Sequence, residues 1–110
     1  MDILFKTVKM EKIFNSEREL QRKYGRQTEY IKRRMAVLRA AATLDQISHL
    51  PPERCHELEP KGRGRFAVDL KDQYRLVIRV ANEPIPKNAD GGIDKTKVTV
   101  IEIQDVEDYH

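Results

Sequence analysis

Hydrophobic residues recur at helical spacing through the first 45 positions and alternate with polar ones after residue 65. Ile3 to Lys6 reads as a short strand, and Lys9 to Phe14 as a single turn or brief helix. Ser16 and Glu19 have capping-box spacing, with the hydroxyl accepting from the backbone three residues on while the carboxylate reaches back. Leu20 and Tyr24 supply the buried side of the helix that follows, and Gly25 is placed to close it. A second helix, from about Arg26 to Ala42, aligns Ile31, Met35, Leu38 and Ala42, with Tyr30, Val37 and Ala41 widening the stripe. Thr43 with Gln46 can cap a further short turn, which Leu50-Pro51-Pro52 must end because proline disfavours helix at itself and before itself.

Phe66, Val68 and Leu70 then alternate with polar or small neighbours, and the alternation resumes after Lys71-Asp72-Gln73, the pattern of a hairpin. Tyr74, Leu76, Ile78 and Val80 share one face of its second strand, leaving Arg75, Val77 and Arg79 on the other. Asn82 to Lys97 contains Pro84, Pro86, Gly91 and Gly92 and reads as a long loop. Val98 to Val106 is the last strand, with Glu107 to His110 running off its end. The expected fold is α+β: two N-terminal helices packed on one face of a small, mainly antiparallel twisted sheet, with the other face open to a ligand.

A length of 110 residues suits one domain, 1–110, with one core. No apolar run reaches membrane-spanning length, and Met1 to Lys6 lacks the basic and long apolar regions of a secretory leader. Cys55 is the only cysteine, so an internal disulfide is excluded and a reducing compartment is expected. Together these place the chain in the cytoplasm. Charge is unevenly spread: residues 1–65 carry 15 Lys/Arg against 9 Asp/Glu, and residues 66–110 carry 6 against 9. Arg18, Arg22, Lys23, Lys32, Arg33 and Arg39 fall together on the helical hairpin, either as a phosphate-attracting surface or as an ordinary solvated face.

The Gly-rich phosphate loop, the Gly-x-Ser-x-Gly elbow and cysteine pairs at zinc-binding spacing are all missing from the sequence. What remains suits proton transfer and phosphate: His56, Lys61, Arg63 and Arg65, then Arg75 and Arg79, then Asp108-Tyr109-His110. Cleaving RNA without a metal requires a base for the 2′-hydroxyl, an acid for the leaving oxygen and cations for the phosphorane, which two histidines and arginines can supply. Tyr109 could stack on a base, and Asp108 could orient a histidine or act as the base. Each group has a plainer reading: His56 as a surface histidine, Tyr109-His110 as a frayed tail, Lys61 to Arg65 as a solvated turn. His56, Glu107, Asp108 and His110 lack the helical spacing of a metal site, and neighbouring Cys55 and His56 point apart on an extended segment. No metal or other cofactor is expected.

At these residues the chain resembles the HigB-type toxins of the RelE/ParE superfamily, small bacterial ribonucleases that cut messenger RNA during translation. The resemblance runs through Lys9 to Phe14, the two basic helices, Leu50-Pro51, Arg54-Cys55-His56-Glu57-Leu58 with Lys61-Gly62, Tyr74-Arg75, and the ending Glu107-Asp108-Tyr109-His110. It implies a catalytic cluster of His56, Asp108, Tyr109 and His110, with Lys61 and Arg75 holding phosphate. Glu59-Pro60 separates Leu58 from Lys61, so Arg63 or Arg65 is an alternative to Lys61. The loop over 82–97 is longer than the family's turn. The resemblance also implies two partners, mRNA on the ribosome and a helix-turn-helix, HigA-like antitoxin. Two other functions remain open, a ParE-like toxin that poisons gyrase and a non-catalytic RNA- or ribosome-binding module.

Overall fold

A computed structural model of the chain describes residues 1–58 and 63–109. It contains strand β1 (Asp2–Phe5), helices α1 (Val8–Phe14), α2 (Glu17–Tyr24) and α3 (Thr28–Ala40), and strands β2 (His56–Glu57), β3 (Arg65–Asp69), β4 (Tyr74–Val80) and β5 (Val100–Asp108). The brief helix expected over 9–14 is a full element, so α2 and α3 are preceded by a third, shorter helix. Its start is set by Thr7, whose hydroxyl accepts from the Met10 N–H at 3.0 Å. Ser16 caps α2 in the same way, accepting from Glu19 at 3.2 Å. The reciprocal half of the expected box does not form. The Ser16 N–H donates to Ile13, and the Glu19 carboxylate lies 3.4 Å from Arg22.

α3 begins two residues later than its periodicity predicts and ends two earlier. Gly25 takes φ +53°, and residues 25–27 form a tight turn. The Gln27 side chain is held by Lys71, giving to its carbonyl at 3.2 Å and accepting from its N–H at 3.1 Å. At the other end Ala41 is already extended and the Met1 amino group donates to the carbonyls of Leu38 and Arg39, where the negative end of a helix dipole favours a cation. Ala41 is therefore buried and Ala42 exposed, and Val37 also faces solvent. The buried stripe is Thr28, Ile31, Arg34, Met35 and Leu38. Thr43 does not cap the turn at Leu44–Gln46 with its side chain; Gln46 accepts from the Ala42 N–H instead.

The sheet is mixed, in the order β1-β5-β4-β3-β2, with β1 and β5 parallel and the other pairs antiparallel. The register breaks after Val77, where Gln104 is the extra residue of a bulge. β5 runs from Val100 to Asp108 rather than 98–106, because Glu107 and Asp108 pair with Arg75 and Tyr74. Phe66, Val68, Leu76, Ile78, Ile101 and Ile103 meet the helices in one core, where full burial of each contributes about 1.5–3 kcal/mol. The 82–97 segment is built onto this core. Ile93 is buried in it, Ile85 packs against it, and the Asn82 side chain accepts from the N–H groups of Thr99 and Val100. No helix among the described residues is long and apolar enough to cross a membrane.

Candidate functional site

Strand alternation sets the composition of the uncovered face. His56 stands opposite Ala67, Ala67 opposite Val77, and Val77 opposite Asp105, giving a floor in which Ala67 and Val77 are buried yet outside the core cluster. Arg65 and Arg79 face each other on one side of this row, and Asp69, Arg75 and Glu107 align on the other. The two sides differ in charge state. Among the described residues Arg65 and Arg79 form no ion pair, and they oppose each other directly although like charges in that position repel. Arg63, also exposed, precedes them across Gly64, whose φ is +80°.

On the opposite side every arginine is held. Arg75 donates from Nε to Glu107 Oε1 at 2.7 Å, with Nη2 at 2.5 Å, and its guanidinium lies 4.7 Å from the Tyr109 ring centroid. Arg54 forms a two-pronged pair with Asp69, at 2.6 and 3.0 Å, and its Nη2 is 3.4 Å from the Tyr109 hydroxyl. The Asp69 carboxylate, and less so Tyr109, pushes the Arg54 pKa upward. Tyr109 is thus held over its ring by Arg75 and at its hydroxyl by Arg54, and its N–H donates to Gln73 O at 3.1 Å.

Arg54 also governs His56. Its φ of +44° is a conformation that L side chains rarely adopt, with a strain of order 1 kcal/mol, and it turns the Arg54 carbonyl to 2.7 Å from His56 Nδ1. A carbonyl can only accept, so Nδ1 carries the hydrogen and Nε2 is the nitrogen that can exchange a proton. Below this segment the buried Arg34 of α3 donates to the Asp69 carbonyl at 2.7 Å and reaches that of Pro52 at 3.4 Å, tying helix, strand and loop together.

The expected cluster is brought together in part. Tyr109 crosses the end of the sheet to Arg54, two residues from His56. Asp108 pairs with Tyr74, and alternation puts it on the helix-covered side, where its carboxylate accepts from Gln73 at 3.3 Å. His56 and the end of β5 are three strands apart, about 14 Å. Lys61 and His110 lie outside the described residues. Cys55 is buried on the core side, and burial pushes its thiol up to about 11, so it stays protonated near neutrality and forms no dyad with His56. Among the described residues no three of His, Cys, Asp or Glu gather as a metal site.

Sequence reasoning missed the roles of Asp69, Gln73 and Glu107, and treated Arg54 only as part of a motif. Cross-strand register could have exposed Glu107, opposite Arg75. Nothing in the local sequence announces the left-handed backbone at Arg54. The chain matches no protein-family model, no curated protein and no solved structure.

Proposed function

We propose that this chain is a HigB-type toxin with a RelE-like fold, a metal-independent endoribonuclease that cuts mRNA on the ribosome and arrests growth until a helix-turn-helix antitoxin binds it. It would act in the cytoplasm, where the ribosomes are. The observation that carries this reading is the presence on one sheet face of a histidine with a fixed tautomer, a tyrosine held by two arginines, and two facing arginines that form no ion pair among the described residues. His56 Nε2 is suited to take the 2′-hydroxyl proton, and His110 is the proposed acid for the leaving oxygen. Arg65 and Arg79 supply charge for the phosphorane, with Arg63 or Lys61 at its edge. Arg75 joins them when a phosphate oxygen replaces Glu107. Tyr109 offers a stacking face, and Asp108, accepting from Gln73, fixes the last residue of β5 beside it.

The pairing of Arg75 with Glu107 and of Arg54 with Asp69 favours a second reading, a module that binds RNA without cutting it. Mapping the 5′ ends of a defined mRNA in a translating extract separates the two. New ends that form only during translation, persist in EDTA at a magnesium level kept sufficient for the ribosome, and vanish in His56→Ala and His110→Ala support cleavage. Stalled translation without new ends supports the binder, and toxicity that survives both substitutions with gyrase inhibited supports the gyrase poison.

A further inference from the structure

The helix-covered side carries an opening that the proposed chemistry does not use. Two cavities, about 530 Å³ and about 200 Å³, share Arg26, Gln27 and Tyr74 in their walls and form one groove between the α2–α3 junction and the β3–β4 turn. Three of the chain's four tyrosines, Tyr24, Tyr30 and Tyr74, line it. All three are half-buried and packed against the core, so their positions are set by the fold. Cations interleave with the rings: Lys23 lies 5.7 Å from the Tyr24 centroid, and Arg33 and Lys71 lie 5.3 and 5.7 Å from that of Tyr30. Among the described residues Arg26, Arg33 and Lys71 form no ion pair. Two acids, Glu29 and Asp72, also line the groove, and Glu29 is drawn to Lys32 at 3.6 Å.

We propose that this groove binds single-stranded RNA, with bases stacked on Tyr30 and Tyr74 and the backbone following Arg26, Arg33 and Lys71. Every base presents a π-face, so rings fixed among cations bind RNA with little regard to sequence. An acidic peptide would satisfy the cations but make no use of the faces of Tyr30 and Tyr74. Gln73 joins the groove to the end of the sheet, since it lines the groove while its carbonyl and side chain hold Tyr109 and Asp108. The groove is therefore a subsite for the strand flanking the cut; that assignment rests on the ribonuclease reading, whereas the binding itself does not.

The test is anisotropy titration of a labelled, fully 2′-O-methylated 12-nucleotide RNA, which cannot be cleaved, with the full chain. Arg33→Glu/Lys71→Glu should weaken binding by about tenfold or more, whereas an equal charge reversal on α1, Lys9→Glu/Lys12→Glu, should change it by less than about threefold. Tyr30→Phe should bind as the parent does. In case the double variant fails to fold, photocrosslinking of the unaltered protein to a 4-thiouridine RNA should map to peptides containing Tyr24, Tyr30 or Tyr74. Equal losses from the two reversals, crosslinks confined to other segments, or equal competition by polyglutamate of matched charge would overturn the proposal. Cleavage in the translating extract without groove binding would defeat this proposal alone, and groove binding without cleavage would defeat only the ribonuclease reading.

Discussion

The two sides of the uncovered face carry the same residue type in opposite states. Arg54 and Arg75 are each locked to a carboxylate and to Tyr109, while Arg65 and Arg79 stand face to face and, although Glu102 is opposite Arg79 in the register, form no ion pair among the described residues. A held arginine contributes direction, because its planar fork orients whatever it touches, and a neighbouring carboxylate cancels most of its field. An unheld arginine contributes field and little position. The ribonuclease proposed above would use both, one to attract the RNA and one to place its phosphate, and here the two are separated by Ala67 and Val77.

Five substitutions would break or sharpen this contrast. The largest expected effect comes from the root of the ordered side: Arg34→Ala leaves the carbonyls of Asp69 and Pro52 without their buried donor, and a urea titration should show a loss of about 3 kcal/mol. Asp69→Ala removes the partner of a guanidinium that is 40% exposed, so the loss should be smaller, about 1–2 kcal/mol, with the Tyr109 ring freed in NMR spectra. Glu107→Gln should lower stability by about 1 kcal/mol yet tighten binding of uncleavable RNA, since Arg75 would then be available to phosphate. Unchanged or weaker binding would mean that Arg75 serves only to position Tyr109. The smallest effect on stability, within about 0.5 kcal/mol, is expected for Arg65→Gln and Arg79→Gln. Each should nevertheless lower the slope of log affinity against log salt by about 0.7. A slope that does not move would remove both residues from the RNA-binding surface.

Local rules were legible where one side chain or one period decides the outcome. The capping hydroxyl of Ser16, the stop at Gly25, the alternation of β3 and β4 and the separation of Arg75 and Arg79 from the core all follow from residues within a few positions of one another. The errors fell at element ends. α3 starts late because Gln27 is held by Lys71, 44 residues away, and β5 runs on to Asp108 because β4 offers it partners. The 82–97 segment reads as a long loop by composition, but Ile93 and Asn82 fasten it to the core and to β5.

Of the candidate site, residue types were readable and their arrangement was not. The sequence by itself determined an α+β chain with a basic helical hairpin and a strand presenting arginines away from the core, because periodicity, capping and composition act locally. Tertiary structure alone decided that Asp108 and Tyr109 part to opposite faces, that Arg54 locks His56 through its backbone and Tyr109 through its side chain, and that three tyrosines meet in one groove. These depend on strand order, on a five-stranded register with one bulge, and on a backbone held in a rare conformation by contacts from distant residues. Such contacts have no period and no fixed spacing along the chain.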